Sequence, residues 1–199
     1  MLFFTRPNIR EMTLVSLFTG TTVVGAFVRI PFTPVPFTLQ TLFVLLSGAV
    51  LGSKMAALSQ GLYLFLDLIG LPVFAYGGGP GYFLQPTFGY LLGFIAGAYF
   101  IGKLQERFRY HSFFGILLNL LSGNLVIYSL GVSYLFLIKN FYLGQNFPFI
   151  RAIWLGGLIF IPGDIVKILV VSIVIREIQM RFPLPITISK NYSLGQGKT

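Results

Sequence analysis

The sequence contains no cysteine and a single histidine, and only 10% of its 199 residues are charged. Without thiols there are no disulfides, no thiolate metal sites and no cysteine nucleophiles. The one imidazole, His111, lies in a basic segment, and neither a Gly-x-Ser-x-Gly elbow nor a His-Glu-x-x-His pair occurs. Acyl transfer and metal hydrolysis therefore lack their parts, and the chain reads as a non-enzyme with no cofactor. No Walker A sequence is present, so uphill movement of a solute would draw its energy from a partner or an ion gradient. No basic stripe interleaved with aromatics is visible, which argues against nucleic acid as a partner.

A soluble domain carries about 25% charged residues, so this chain has too few polar groups to cover a surface in water. Instead, 55% of its residues are hydrophobic and its mean hydropathy is +0.84. It reads as an integral membrane protein held by the lipid bilayer. At roughly 20 residues per helical span, the length accommodates about six helices and no second domain. The expected fold class is an all-α integral membrane bundle of six transmembrane helices over residues 1–182, with a polar cytoplasmic tail over 183–199.

Charges and clusters of proline and glycine divide the apolar sequence. A first helix is expected over 11–28; Arg29-Ile30-Pro31 follows it instead of a small-residue cleavage pattern, so it reads as retained. Pro31, Pro34 and Pro36 exclude a helix interior from the next segment. Thr38 is expected to cap a second helix ending near Gly52, and a third is expected over 55–70. The irregular stretch 71–86 contains Gly77-Gly-Gly-Pro-Gly81 and Tyr82; it lacks the Lys-Ser/Thr of a phosphate-binding loop and reads as a lid over a cavity. Thr87 is expected to cap a fourth helix ending near Lys103, followed by an aqueous segment 103–111 and a fifth helix over 111–137. A short apolar helix over 150–160 and a sixth span starting at Pro162, with Asp164 in its first turn, complete the chain.

Lys and Arg then set the orientation. With the N-terminus inside, Arg6, Arg10, Lys54, Lys103, Arg107, Arg109, Arg176, Arg181, Lys190 and Lys198 fall on inner segments, and Arg29, Lys139 and Arg151 on outer ones. That is 10 against 3, which places both termini in the cytoplasm. The outer connections are long, apolar and rich in Pro, Gly and aromatics. Irregular backbone near membrane depth is tolerated where protein buries it or where it lines a cavity, so the outer half is the expected binding face.

Asp164 and Lys167 are the strongest candidates for chemistry. They lie three residues apart in an otherwise apolar run, on one helix face. Each charge costs about 2.5–3.5 kcal/mol near a bilayer centre, so the pair either faces a ligand or steadies the bundle as an ion pair. Gln85 and Gln40 offer amides to a ligand, Tyr82, Tyr90 and Trp154 offer pocket walls, and Arg29 offers a cation to a ligand carboxylate or an interfacial anchor. Asp67, near the outer end of the third helix, reads as a headgroup-level acid.

The segments Arg29-Ile-Pro-Phe-Thr-Pro-Val-Pro-Phe-Thr-Leu-Gln-Thr41, Leu45-Leu-Ser-Gly-Ala-Val-Leu-Gly52, Gly61-Leu-Tyr-Leu, Gly70-Leu-Pro-Val-Phe74, Pro86-Thr-Phe-Gly-Tyr-Leu-Leu-Gly-Phe94 and Ile161-Pro-Gly-Asp-Ile-Val-Lys167 together closely resemble the BioY family. These are the biotin-binding S components of energy-coupling-factor (ECF) transporters. The resemblance covers nearly the whole chain. It implies a six-helix bundle in the bacterial cytoplasmic membrane that binds biotin from outside, with a transmembrane coupling protein and two cytoplasmic ATPase subunits as partners. It also implies that Asp164 and Lys167 bind biotin, Asp164 accepting from the ureido N–H groups and Gln85 complementing the rest. Docking in such proteins uses an Ala-x-x-x-Ala face on the first helix; here that face reads Ser16-x-x-x-Gly20. An S component for another small vitamin and an autonomous secondary transporter are the alternative readings.

Overall fold

The computed structural model describes residues 8–75 and 77–181. The tail over 183–199 and the cations Arg6, Lys190 and Lys198 lie outside the described residues. Among the described residues, seven α-helices form the bundle: α1 (Ile9–Phe27), α2 (Gln40–Leu51), α3 (Ser53–Leu68), α4 (Phe88–Phe108), α5 (Phe113–Leu137), α6 (Phe149–Gly156) and α7 (Ile161–Arg181). α6 is the shortest and leads into α7 through a single 3-10 turn, Leu158–Phe160. The segments Phe113–Tyr142 and Phe149–Arg181 are each long and apolar enough to cross a membrane.

Apolar side chains lie on both the inside and the outside of this bundle. Val44, Leu45, Ala98, Ile101, Leu120, Ile127, Leu135 and Ile175 form its fully buried core. Large apolar groups also cover its exterior, including Leu17 and Val24 on α1, Leu118 and Leu125 on α5, and Val166, Val170 and Ile173 on α7. Such an exterior suits hydrocarbon.

With no hydrophobic force to drive helix against helix in lipid, close contact depends on small residues. An added Cβ at Gly93 of α4 would lie 2.8 Å from the Ile127 carbonyl oxygen of α5, and one at Gly48 of α2 would lie 2.9 Å from the Ala98 oxygen of α4. The backbones therefore touch. Between α2 and α3 the chain turns on Gly52 alone, at a left-handed φ of 83°.

Several helix boundaries differ from the sequence expectation. Thr38 does not cap α2: it lies in a two-stranded ribbon, β1 (Arg29–Ile30) and β2 (Phe37–Thr38), antiparallel with Arg29 opposite Thr38. Leu39 occupies the cap position, and the Thr38 hydroxyl accepts from the Gln40 N–H at 3.3 Å. α4 does not stop at Lys103 but continues to Phe108, because charged residues end no helix by themselves. Lys103 and Arg107 lie one turn apart on its exposed face, while Gln105 is buried. Ser112, not His111, caps α5, its side chain accepting from the Gly115 N–H.

α2 is short, and this positions the site. Twelve residues span about 18 Å at 1.5 Å each, well below a hydrocarbon core of about 30 Å. The depth above α2 is filled by the ribbon and by the connection between α3 and α4. This is the ribbon end of the bundle. The opposite, turn end holds the α2–α3 joint, the α4–α5 connection and the last turn of α7.

Candidate functional site

A cavity opens at the ribbon end, enclosing about 60 Å3 in which a water-sized sphere can be centred. The ribbon segment contributes Val35, Pro36, Phe37 and Thr38, and α2 contributes Gln40 and Thr41. The α3–α4 connection adds Phe74, Ala75, Tyr82 and Thr87, and α4 adds Tyr90, Leu91 and Phe94. Ile127 and Tyr128 of α5, Phe160, and Asp164 and Lys167 of α7 close the ring.

Asp164 is 2% exposed and Lys167 5%, and their side chains meet at 2.8 Å. The Lys167 ammonium has three N–H donors, and three acceptors take them: Asp164 Oδ1, Thr41 Oγ1 at 2.8 Å and the Thr38 carbonyl at 2.7 Å. Its fourth side rests 3.9 Å from the centroid of the Phe37 ring, a cation–π contact. Gly163 makes room for that ring, since a Cβ there would lie 2.6 Å from a Phe37 ring carbon. Lys167 is thus saturated and binds the ribbon to α7.

Asp164 has the opposite character, because a carboxylate only accepts. Oδ1 receives Lys167 and, at 3.5 Å, the Thr41 hydroxyl; Oδ2 receives the Tyr128 hydroxyl and, at 3.4 Å, Asn124 Nδ2. These four donors hold the carboxylate in one position in the cavity wall. An N–H group entering the cavity meets a preorganised anionic acceptor. Above it, Gln40 donates to the Tyr63 hydroxyl at 2.7 Å and accepts from Thr38 at 2.9 Å. Tyr82 shares a hydrogen bond with Thr87 at 3.0 Å, and Tyr90 donates to the Gly156 carbonyl at 2.6 Å. The tyrosine rings therefore form wall surface while their hydroxyls are held by the protein.

The family model for BioY matches residues 4–184. The chain belongs to the BioY family. It is 42% identical to the biotin transporter BioY of Thermotoga maritima over 166 residues, 83% of this chain and 93% of that protein. The biotin transporter BioY of Rhodobacter capsulatus is 40% identical over 185 residues, covering 87% and 95%. Among solved structures, the crystal structure of the S-component for biotin from an ECF-type ABC transporter superposes with a TM-score of 0.78 at 26% identity, covering 92% of this chain and 97% of that one.

In this BioY-family chain the cavity brings together Asp164, Lys167, Gln40, Tyr82 and Tyr90. Gln85 is not among the lining residues: it is exposed at the end of the 3-10 turn Pro80–Leu84, and its backbone holds the turns on either side. Arg29 is also exposed, one ribbon strand behind Thr38. Trp154 is 60% exposed on α6 and lines no wall. Ser16 and Gly20 share an exposed face of α1, and a Cβ added at Gly20 would meet nothing within 4 Å. Asp67, expected as a headgroup-level acid, is fully buried under the α3–α4 connection.

Thr41, Asn124 and Tyr128 went unnoticed in the sequence. The available signal was weak: Asn124 and Tyr128 stand one helical turn apart, a spacing that puts both on one face, in a helix that also carries Asn119, Ser122, Ser129, Ser133 and Tyr134.

Proposed function

We propose that this chain is the biotin-binding S component of an ECF-type ABC transporter, a multi-pass protein of the bacterial cytoplasmic membrane with both termini on the cytoplasmic side. The observation that carries the reading is the buried Asp164–Lys167 pair in the wall of a cavity, within a chain of the BioY family. Membership of that family assigns transport and not catalysis.

Biotin's ureido group presents two N–H donors and one carbonyl acceptor, so it matches an ionised carboxylate beside an amide. Asp164 accepts from the N–H groups, and Gln40, whose amide lies at the cavity, takes the complementary part that the sequence had suggested for Gln85. The aromatic wall of Phe74, Tyr82, Tyr90, Phe94 and Phe160 covers the thioether ring. Lys167 serves the ligand through Asp164, because its own donors are engaged. Arg29, across the ribbon from Thr38, is the cation assigned to the valerate carboxylate. Energy comes from two cytoplasmic ATPases through a transmembrane coupling protein docked on the Ser16–Gly20 face of α1, where small residues allow a partner helix to approach closely.

Equilibrium binding of biotin to the purified chain tests the site: the parent binds tightly, and Asp164→Asn and Lys167→Ala do not. Normal binding by both variants removes the assignment, and tight binding of a different vitamin instead of biotin replaces the substrate. Uptake measured with and without the ATPase module distinguishes an S component from a secondary transporter, which would need no module.

A further inference from the structure

Phe74, Ala75 and Tyr82 supply part of the cavity wall, and groups that hold this part of the wall belong to α3, outside the cavity. Tyr63 and Asp67 lie one turn apart on the same face of that helix. The Tyr63 hydroxyl donates to the Val73 carbonyl at 3.1 Å, and its ring packs on Phe74 with centroids 5.1 Å apart. Asp67 Oδ1 accepts from the Phe74 N–H at 3.0 Å, and its backbone carbonyl accepts from the Gly79 N–H at 2.8 Å. Neither side chain lines the cavity. Burying a carboxylate this completely inside a membrane protein is expensive, and its second oxygen has no hydrogen-bond partner among the described residues. Gly78 lies directly against it, where a Cβ would come within 2.6 Å of Oδ1.

We infer that Tyr63 and Asp67 are positioning residues that fasten the cavity wall to α3 at Val73, Phe74 and Gly79 and thereby set how long a ligand stays enclosed. Tyr63 makes a second connection. It accepts from Gln40, which accepts from Thr38, whose carbonyl holds Lys167. The wall is thus linked through hydrogen bonds to the ribbon and the ion pair. The role in ligand retention rests on the proposed biotin reading; the fastening itself does not.

The absence of cysteine allows a direct test in the full-length chain. Ala75 lines the cavity and is buried, so the maleimide labelling rate of Ala75→Cys reports opening of the wall with no ligand present. Removing the two hydrogen bonds of the Tyr63 hydroxyl by Tyr63→Phe, or the Phe74 bond by Asp67→Ala, should raise that rate roughly three- to tenfold. Asp67→Asn keeps an oxygen for the Phe74 N–H and should stay within about twofold of the parent. In chains without the introduced cysteine, biotin dissociation should accelerate by the same factor, with association unchanged. Unaltered labelling in Tyr63→Phe and Asp67→Ala overturns the inference, as does Asp67→Asn opening as fast as Asp67→Ala. Tyr63→Phe keeps the ring in place and decides the matter alone if Asp67→Ala fails to fold. Accelerated labelling in a protein that biotin neither binds nor protects leaves the fastening intact and removes the biotin reading.

Discussion

At the turn end, polar side chains serve the backbone. Glu106 accepts from the Ser53 N–H at 2.7 Å and from its hydroxyl at 2.8 Å, closing the start of α3. Gln105 and Gln179 both donate to the Tyr110 carbonyl at 3.1 Å, and Asn119 donates to the Ile101 carbonyl. At the ribbon end, polar side chains mainly serve one another: Gln40 with Tyr63, Tyr82 with Thr87, Lys167 with Thr41, and Tyr128 with Asp164. The first arrangement ties helices and their connections together, with Asn119 Oδ1 and Gln179 Oε1 buried without a partner among the described residues. The second is a network around a cavity, in which a ligand carrying both donors and acceptors can enter a bond and satisfy both of its former partners. The two ends share helices but differ in what their polar groups are for.

Substitutions can break this contrast, and the largest effect is expected at the ion pair. Asp164→Asn leaves the Lys167 ammonium buried without its anion, and biotin affinity should fall at least about a hundredfold by titration calorimetry. Tyr128→Phe removes a single donor to the same carboxylate; a loss of about tenfold or more is expected, since hydrogen bonds to charged groups contribute about 1.5–3 kcal/mol. At the close helix contacts the effect should change in kind. Gly48→Ala forces α2 from α4 and should lower stability by about 1–3 kcal/mol in thermal unfolding, while the folded fraction binds biotin normally. Gln85→Ala should shift affinity by less than about twofold, because that side chain is exposed and away from the cavity. A large effect at Gln85 would extend the site beyond the cavity lining, and a selective loss of binding at Gly48 would erase the distinction between packing and binding positions.

The helices were legible because charge and proline interrupt long apolar runs, and the cost of charge in lipid made Asp164 and Lys167 stand out. The end of α4 was not, since Lys103, Glu106 and Arg107 suggest water yet continue the helix to Phe108. The ribbon was illegible for another reason: two-residue strands carry no periodicity, and Arg29 opposite Thr38 is set by tertiary packing. Asp67 reads identically in sequence whether it faces headgroups or the interior; only the path of residues 73–79 over it decides. Asn124 and Tyr128 gained their meaning from a carboxylate forty and thirty-six positions away.

The placement of Trp154 has an optical consequence. It is the chain's one tryptophan, and its indole looks outward from α6. Its emission therefore reports the outside of the bundle, away from the cavity, and quenching by brominated acyl chains would show that this face of α6 meets lipid. The Tyr90 bond to the Gly156 carbonyl ties that helix to the cavity wall, so a spectral change on ligand addition would signal displacement of α6 rather than contact with the ligand.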